Sequence, residues 1–152
     1  MVGTGDGGAA AATEGPSSLV EDYSYPGAAD ILAQHDVELI SGDGHIMFVT
    51  SHPISDDQRC DTGQIAVEKN LNVDPWDVFY CFRTIGSAGV LKLRIPGTFG
   101  VRGGDKPLVA TAQLSDGKEK EYAIPANGNV AIDPGQGSDS PTAILVELSF
   151  GQ

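Results

Sequence analysis

Chemistry in this chain of 152 residues would have to come from three histidines, two cysteines, a single tryptophan and the aspartates of several loop-like stretches. In the run SGDGHIMFV, Ser41 to Val49, His45 follows an Asp-Gly pair and opens a β-favouring segment. A histidine placed there is either a ligand or general base, or a corner residue that pairs across a hairpin or bonds to Asp43. No partner stands at a working distance along the chain, so the structural role is expected. His35 falls near the end of a helical stretch, where a histidine suits the free carbonyls and the dipole. His52 lies in the polar loop SHPIS. The spacing matches neither H-x-H nor H-E-x-x-H, which argues against a zinc hydrolase. IGSAG, residues 85–89, lies between two strand-like runs without the helix that follows a nucleophilic serine. Cys81 sits inside VFYCFRT, and apolar surroundings raise a thiol's pKa rather than activating it. GTGDGG and GVRGGDKP carry glycines without the strand and helix that frame a phosphate loop. No residue is assigned a catalytic role.

The acids and aromatics offer more. Asp56, Asp57 and Asp61 in SDDQRCD, with Asp74 and Asp77 in NVDPWD, are numerous enough for a hydrolase working through loop carboxylates. That reaction needs two carboxyls facing each other across a cleft. The same five are weak calcium ligands, since calcium takes several oxygens from flexible loops, although no EF-hand spacing is present. A solvated acidic surface is the default. No other cofactor is implied. Trp76 and Tyr80, with Phe79 and Phe82 nearby, could form a stacking platform for a sugar. A lone tryptophan beside a strand is more often core or core edge, because it buries a large apolar area.

A formal net charge of −12, from 21 acids against 9 bases, excludes polyanionic partners. Nucleic acid and anionic lipid surfaces need clustered Lys and Arg, and the bases here are scattered. No window approaches the roughly 18 apolar residues of a membrane span, so membrane insertion is not expected. The chain starts with neither a basic region nor an apolar core of a signal peptide, which leaves a cytoplasmic protein or a secreted one without its leader. Scarce lysine beside plentiful Gly, Asp, Ser and Thr fits an exported protein of a high-GC bacterium. Cys60 and Cys81 are too few and too far apart for a zinc knuckle. They are two free thiols or a disulfide tying a loop to a strand, and the bridge is the favoured reading in an oxidising compartment.

These residues must be positioned by a mostly β framework. Residues 1–24 are rich in Gly, Ala and Ser and lack apolar periodicity before Leu19 and Val20, so they are expected to be a disordered tail or linker. Residues 25–152 then form one domain. YPGAADILAQHD carries the best helix signal, with Pro26 in its first turn and an end by Asp36. VELI and HIMFV around SGDG, and LVATAQL and KEYAIP around SDGKE, read as Asp-Gly hairpins. QIAVE, VFYCFRT, VLKLRI, NVAI and AILVELSF are further strands, with IGSAG as a hairpin loop. In VLKLRI, Leu91, Leu93 and Ile95 share one face and Lys92 and Arg94 the other. In AILVELSF, Ile144, Val146, Leu148 and Phe150 share a face. About eight short strands at this spacing predict an all-β antiparallel sandwich or jelly-roll-like fold with one short N-terminal helix.

The segments YPGAADILAQHDVELISGDGHIMFV and VFYCFRTIGSAGVLKLRIPGTFGVRGGD resemble a small β-rich domain of exported actinomycete proteins, found alone or at the end of secreted enzymes. The likeness rests on the YPGA, GDGHI, CF and GVRG elements, runs from about Tyr25 to the end, and weakens at SHPISDDQRCDTG. It implies secretion, a β-rich fold and a Cys60–Cys81 disulfide, and it implies no active site. The expected function is therefore a secreted, non-enzymatic binding or adaptor module with a protein partner. One form resembles the small linking subunits of umbrella toxin particles, with tail residues Leu19, Val20 and Tyr23 as contacts. A carbohydrate-binding accessory domain is the alternative, and a loop-carboxylate hydrolase the second.

Overall fold

The computed structural model describes residues 23–71, 73–132 and 143–151. Its order is β1 (Tyr23–Ser24), α1 (Ala28–His35), β2 (Glu38–Gly42), β3 (Ile46–Pro53), β4 (Ile65–Asn70), β5 (Asp77–Thr84), β6 (Gly89–Arg102), β7 (Leu108–Gln113), β8 (Glu119–Ile124), β9 (Asn129–Ala131) and β10 (Ala143–Phe150). All strand pairs are antiparallel. The fold is the expected all-β sandwich with one short helix.

The long strand β6 holds both layers. Its first part pairs with β2 on one side and β10 on the other, continuing through β7 to β8. Its last part, from Thr98 to Arg102, pairs with β4 and β9, and β4 leads through β5 to β3. The change of layer falls at Gly97, whose φ of 85° lies in the left-handed region, and the pairing with β10 steps over it from Pro96 to Thr98. The Thr98 hydroxyl donates to the Ile95 carbonyl at 2.8 Å and closes the bend. The run VLKLRI ends at Ile95 in the sequence reading, whereas in the fold the strand continues to Arg102 through a bend at Pro96 and Gly97.

Between the layers lies a single core. Leu39, Leu91, Leu93, Ile95, Leu145 and Leu148 from one sheet meet Ile46, Val67, Tyr80, Phe82 and Val101 from the other. Leu91, Leu93 and Ile95 point inward while Lys92 and Arg94 are exposed, as the alternation requires. In β10 the expected faces are corrected. A bulge between Leu145 and Glu147 breaks the period, so Ala143 and Leu145 are buried before it and Leu148 and Phe150 after it.

Two expected hairpins do not form. β2 pairs with β1 and β6 and β3 with β5, so SGDG is an arch between layers. IGSAG likewise joins β5 to β6, which do not pair. Both arches let consecutive strands bury apolar faces from opposite sides of the core. The SDGKE hairpin between β7 and β8 is formed as read. The helix ends as expected, with Asp36 at φ 58° donating its N–H to the Leu32 carbonyl. Pro26 is a correction, lying before the helix with Gly27 as its N-terminal boundary. His52 is in β3 rather than in a loop. Tyr23 and Ser24, assigned to the tail, pair with Gly42 and Ser41.

Candidate functional site

The outer face of the β3-β5-β4-β6-β9 layer carries most of the residues singled out for chemistry. Ile65 and Val67 of β4 and Tyr80 and Phe82 of β5 face the core, so the alternate residues Ala66, Glu68, Phe79 and Cys81 face outward. The segment 54–64 folds over this face and is tied to it by the Cys60–Cys81 disulfide, with Cα atoms 5.3 Å apart. The bridge forms a small apolar cluster with Ala66 and Phe79, and Cys81 is wholly buried.

Two arginines fasten the same flap. The Arg59 guanidinium lies 4.9 Å from the Phe79 ring centre and donates to the carbonyls of Asp56 at 2.6 Å, Gln58 at 2.8 Å and Ile54 at 3.2 Å. Arg102 of β6 donates to the carbonyls of Asp61 and Gln64, each at 3.3 Å. Beneath the flap is a cavity of about 190 Å³ lined by Arg59, Glu68, Phe79, Gly100, Arg102 and Asn129, among others. Glu68 is its carboxyl. Burial, then the charge and hydrogen bond of Asp77, hold the Glu68 pKa above its ordinary 4.5, while Arg59 pulls the other way. No signal in the sequence marked Arg59 and Arg102, because their partners are backbone carbonyls of residues that look like any loop.

The aspartates do not converge. Asp56 accepts the Gln58 N–H in a local turn, Asp61 and Gln64 bond to one another, Asp74 lies on the β4–β5 connection and Asp77 begins β5. Among the described residues no group of three His, Cys, Asp or Glu side chains is placed to hold a metal ion, so the five calcium candidates are not gathered into a site. The closest carboxyl neighbours, Glu68 and Asp77, hydrogen-bond to each other on one sheet face. That is not the opposed arrangement that glycoside hydrolysis uses.

Two of the histidines join segments of the fold. The backbone N–H of His45 donates to the Asp43 carboxylate at 3.1 Å, and its Nδ1 is 2.7 Å from the Ala88 carbonyl, so that nitrogen carries the hydrogen. It thereby joins the two arches. His35 caps no carbonyl; its Nδ1 lies 2.8 Å from the Ser51 hydroxyl and its ring meets Phe48 edge-on.

The proposed platform splits. Tyr80 is only 1% exposed, and its hydroxyl donates to the Asp36 carbonyl at 3.0 Å, so it is a core residue and no ligand surface. Burial, with Asp36 nearby, pushes its ionisation well above the ordinary range. Trp76 reverses the expectation of a core tryptophan. It is 58% exposed and Val73 is 67% exposed, both on the connection that turns β4 into β5. The turn is shaped by local bonds, the Trp76 N–H donating to the Val73 carbonyl at 2.8 Å, and Trp76 itself holds a φ of 78°. Ile54, also exposed, is stitched to its base by an N–H to the Asp77 carbonyl at 2.9 Å. Leu19 and Val20 lie outside the described residues, and Tyr23 is placed only through its backbone in β1. Among the described residues no helix is long and apolar enough to cross a membrane.

No protein-family model matches the chain, and no curated protein sequence matches it significantly.

Proposed function

We propose that this chain is a secreted, non-enzymatic binding module that engages a protein partner through the tip of the β4–β5 hairpin. The observation that carries this reading is the exposure of Trp76 and Val73 on a hairpin whose base is held in the sheet. Large apolar side chains standing clear of a domain mark contact surfaces, and tryptophan is the residue most often found at the energetic centre of one. The disulfide supports secretion, since both cysteines of the chain are committed to it. The Gly-, Ala- and Ser-rich tail with Leu19 and Val20, leading into Tyr23 of β1, supports an adaptor role like that of the linking subunits of actinomycete umbrella toxin particles, as a second contact beside the tip.

The test is affinity capture from the source organism's culture supernatant with three immobilised chains: the intact protein, Trp76→Ala, and a chain lacking residues 2–22 that keeps β1. A specific protein retained by the intact chain and lost from Trp76→Ala is expected, with thermal melts showing both to be folded. Retention of the same protein by Trp76→Ala would overturn the role of the tip.

The carbohydrate reading keeps one favouring observation, the exposure of Trp76. Trp76 is the chain's single tryptophan, so a polysaccharide stacked on it must change the intrinsic emission. Unchanged emission across a panel of polysaccharides removes that reading.

A further inference from the structure

Carboxylates neighbour the apolar tip of the hairpin along the chain. Asp74 stands between Val73 and Trp76 in the chain, and Asp77 follows directly. Ile54, bonded to the Asp77 carbonyl, leads into Asp56 and Asp57. Val73, Asp74, Trp76, Ile54, Asp56 and Asp57 are all exposed. Among the described residues none of Asp56, Asp57 or Asp74 takes part in an ion pair, while Asp77 is half-buried and accepts from the Asn70 side chain. Two nearby bases in the chain have other partners. Arg59 lies over Phe79 and donates to three carbonyls, and the Lys69 ammonium is drawn to Asp36 at 3.7 Å.

We infer that the partner meeting this tip is a protein with a cationic face: an apolar recess that takes Trp76, rimmed by lysines or arginines that face Asp56, Asp57 and Asp74. This rests on the reading of the hairpin tip as a protein-binding surface. Bringing unpaired carboxylates to the edge of a dry contact is unfavourable unless the opposite surface supplies positive charge. The layout is that of a hydrophobic anchor with charged neighbours, in which the anchor supplies affinity and the charges supply orientation and association rate. The same carboxylates repel anionic membranes and nucleic acids, which would otherwise take an exposed tryptophan.

The probes are two synthetic amphipathic peptides with the same leucines, one with lysine and one with glutamate at every polar position, followed by Trp76 emission. The lysine peptide is expected to move the emission to shorter wavelength and saturate, and the glutamate peptide to leave it unchanged. Affinity should fall about tenfold between about 50 and 300 mM NaCl as screening shortens. Asp56→Asn/Asp74→Asn is expected to weaken binding about tenfold, while Glu119→Gln/Glu121→Gln on β8, which removes as much charge elsewhere, changes it less than about twofold. Equal loss in both double variants would assign the binding to overall charge and overturn the inference. So would equal binding of the two peptides, or no shift with either. Those results leave the supernatant capture by Trp76 standing, whereas failure of that capture with a positive peptide result would remove the natural partner and keep the surface chemistry.

Discussion

His45, Tyr80 and Glu68 show what the reactive-looking side chains of this protein do. His45 and Tyr80 each spend a polar atom on a backbone carbonyl far along the chain, Ala88 and Asp36 respectively, so their chemistry is consumed in joining segments. Glu68 is different, because its carboxyl is partly buried and crowded by Asp77. A carboxyl whose pKa is raised by folding binds its proton more tightly in the native state. Its contribution to stability is therefore greatest at low pH and declines as pH rises from 4.5 through the folded value. Glu68→Gln is expected to raise the urea midpoint at about pH 7 and to give no gain at about pH 4. Urea titrations of both proteins at the two pH values check this, and an equal gain at both would assign the effect to packing instead.

At the level of elements, the bends matter more than the straight runs. β6 can serve both sheets only because Gly97 accepts a φ of 85° where the strand changes layer. Gly97→Ala puts a Cβ into the left-handed region, at a cost of about 1–2 kcal/mol in folding stability that a denaturation midpoint reads directly. If the variant matches the parent, the bend tolerates an L side chain and glycine is not what permits the crossing. The arches built on SGDG and IGSAG follow the same logic. Asp43 accepts from the N–H groups of both His45 and Val90, so one carboxylate fastens the first arch to the start of β6. The Trp76 turn is the contrast, since it presents its large side chain to solvent instead of folding it inward.

For the molecule as a whole, the disulfide is the covalent tie between the flap and the sheet. It joins residues 21 apart in sequence. Constraining a loop of that size in the unfolded chain corresponds to about 3 kcal/mol in the chain-entropy model. Cys60→Ser/Cys81→Ser is expected to lower unfolding stability by about that amount. The variant should still fold, because the arginine bonds of the flap and the core between the sheets remain. An unaltered midpoint in chemical denaturation would show that those bonds alone hold the flap. The net charge of −12 acts at the same scale, favouring dispersion and steering positively charged partners toward the surface.

Alternation and turn chemistry in the amino-acid sequence determined the β class, the helix end at Asp36, the β7–β8 hairpin and the inward faces of Leu91, Leu93 and Ile95. Each depends on residues close together in the chain, where period and φ preference act directly. The pairing of β2 with β6 rather than β3, the phase shift in β10, and the opposite fates of Trp76 and Tyr80 were decided by tertiary structure. An Asp-Gly turn is equally compatible with a hairpin and an arch, and a bulge leaves no mark in composition. Whether an aromatic is core or surface depends on which residues from distant strands arrive to cover it: Tyr80 meets Phe48 and the Asp36 carbonyl, and among the described residues nothing comparable closes over Trp76.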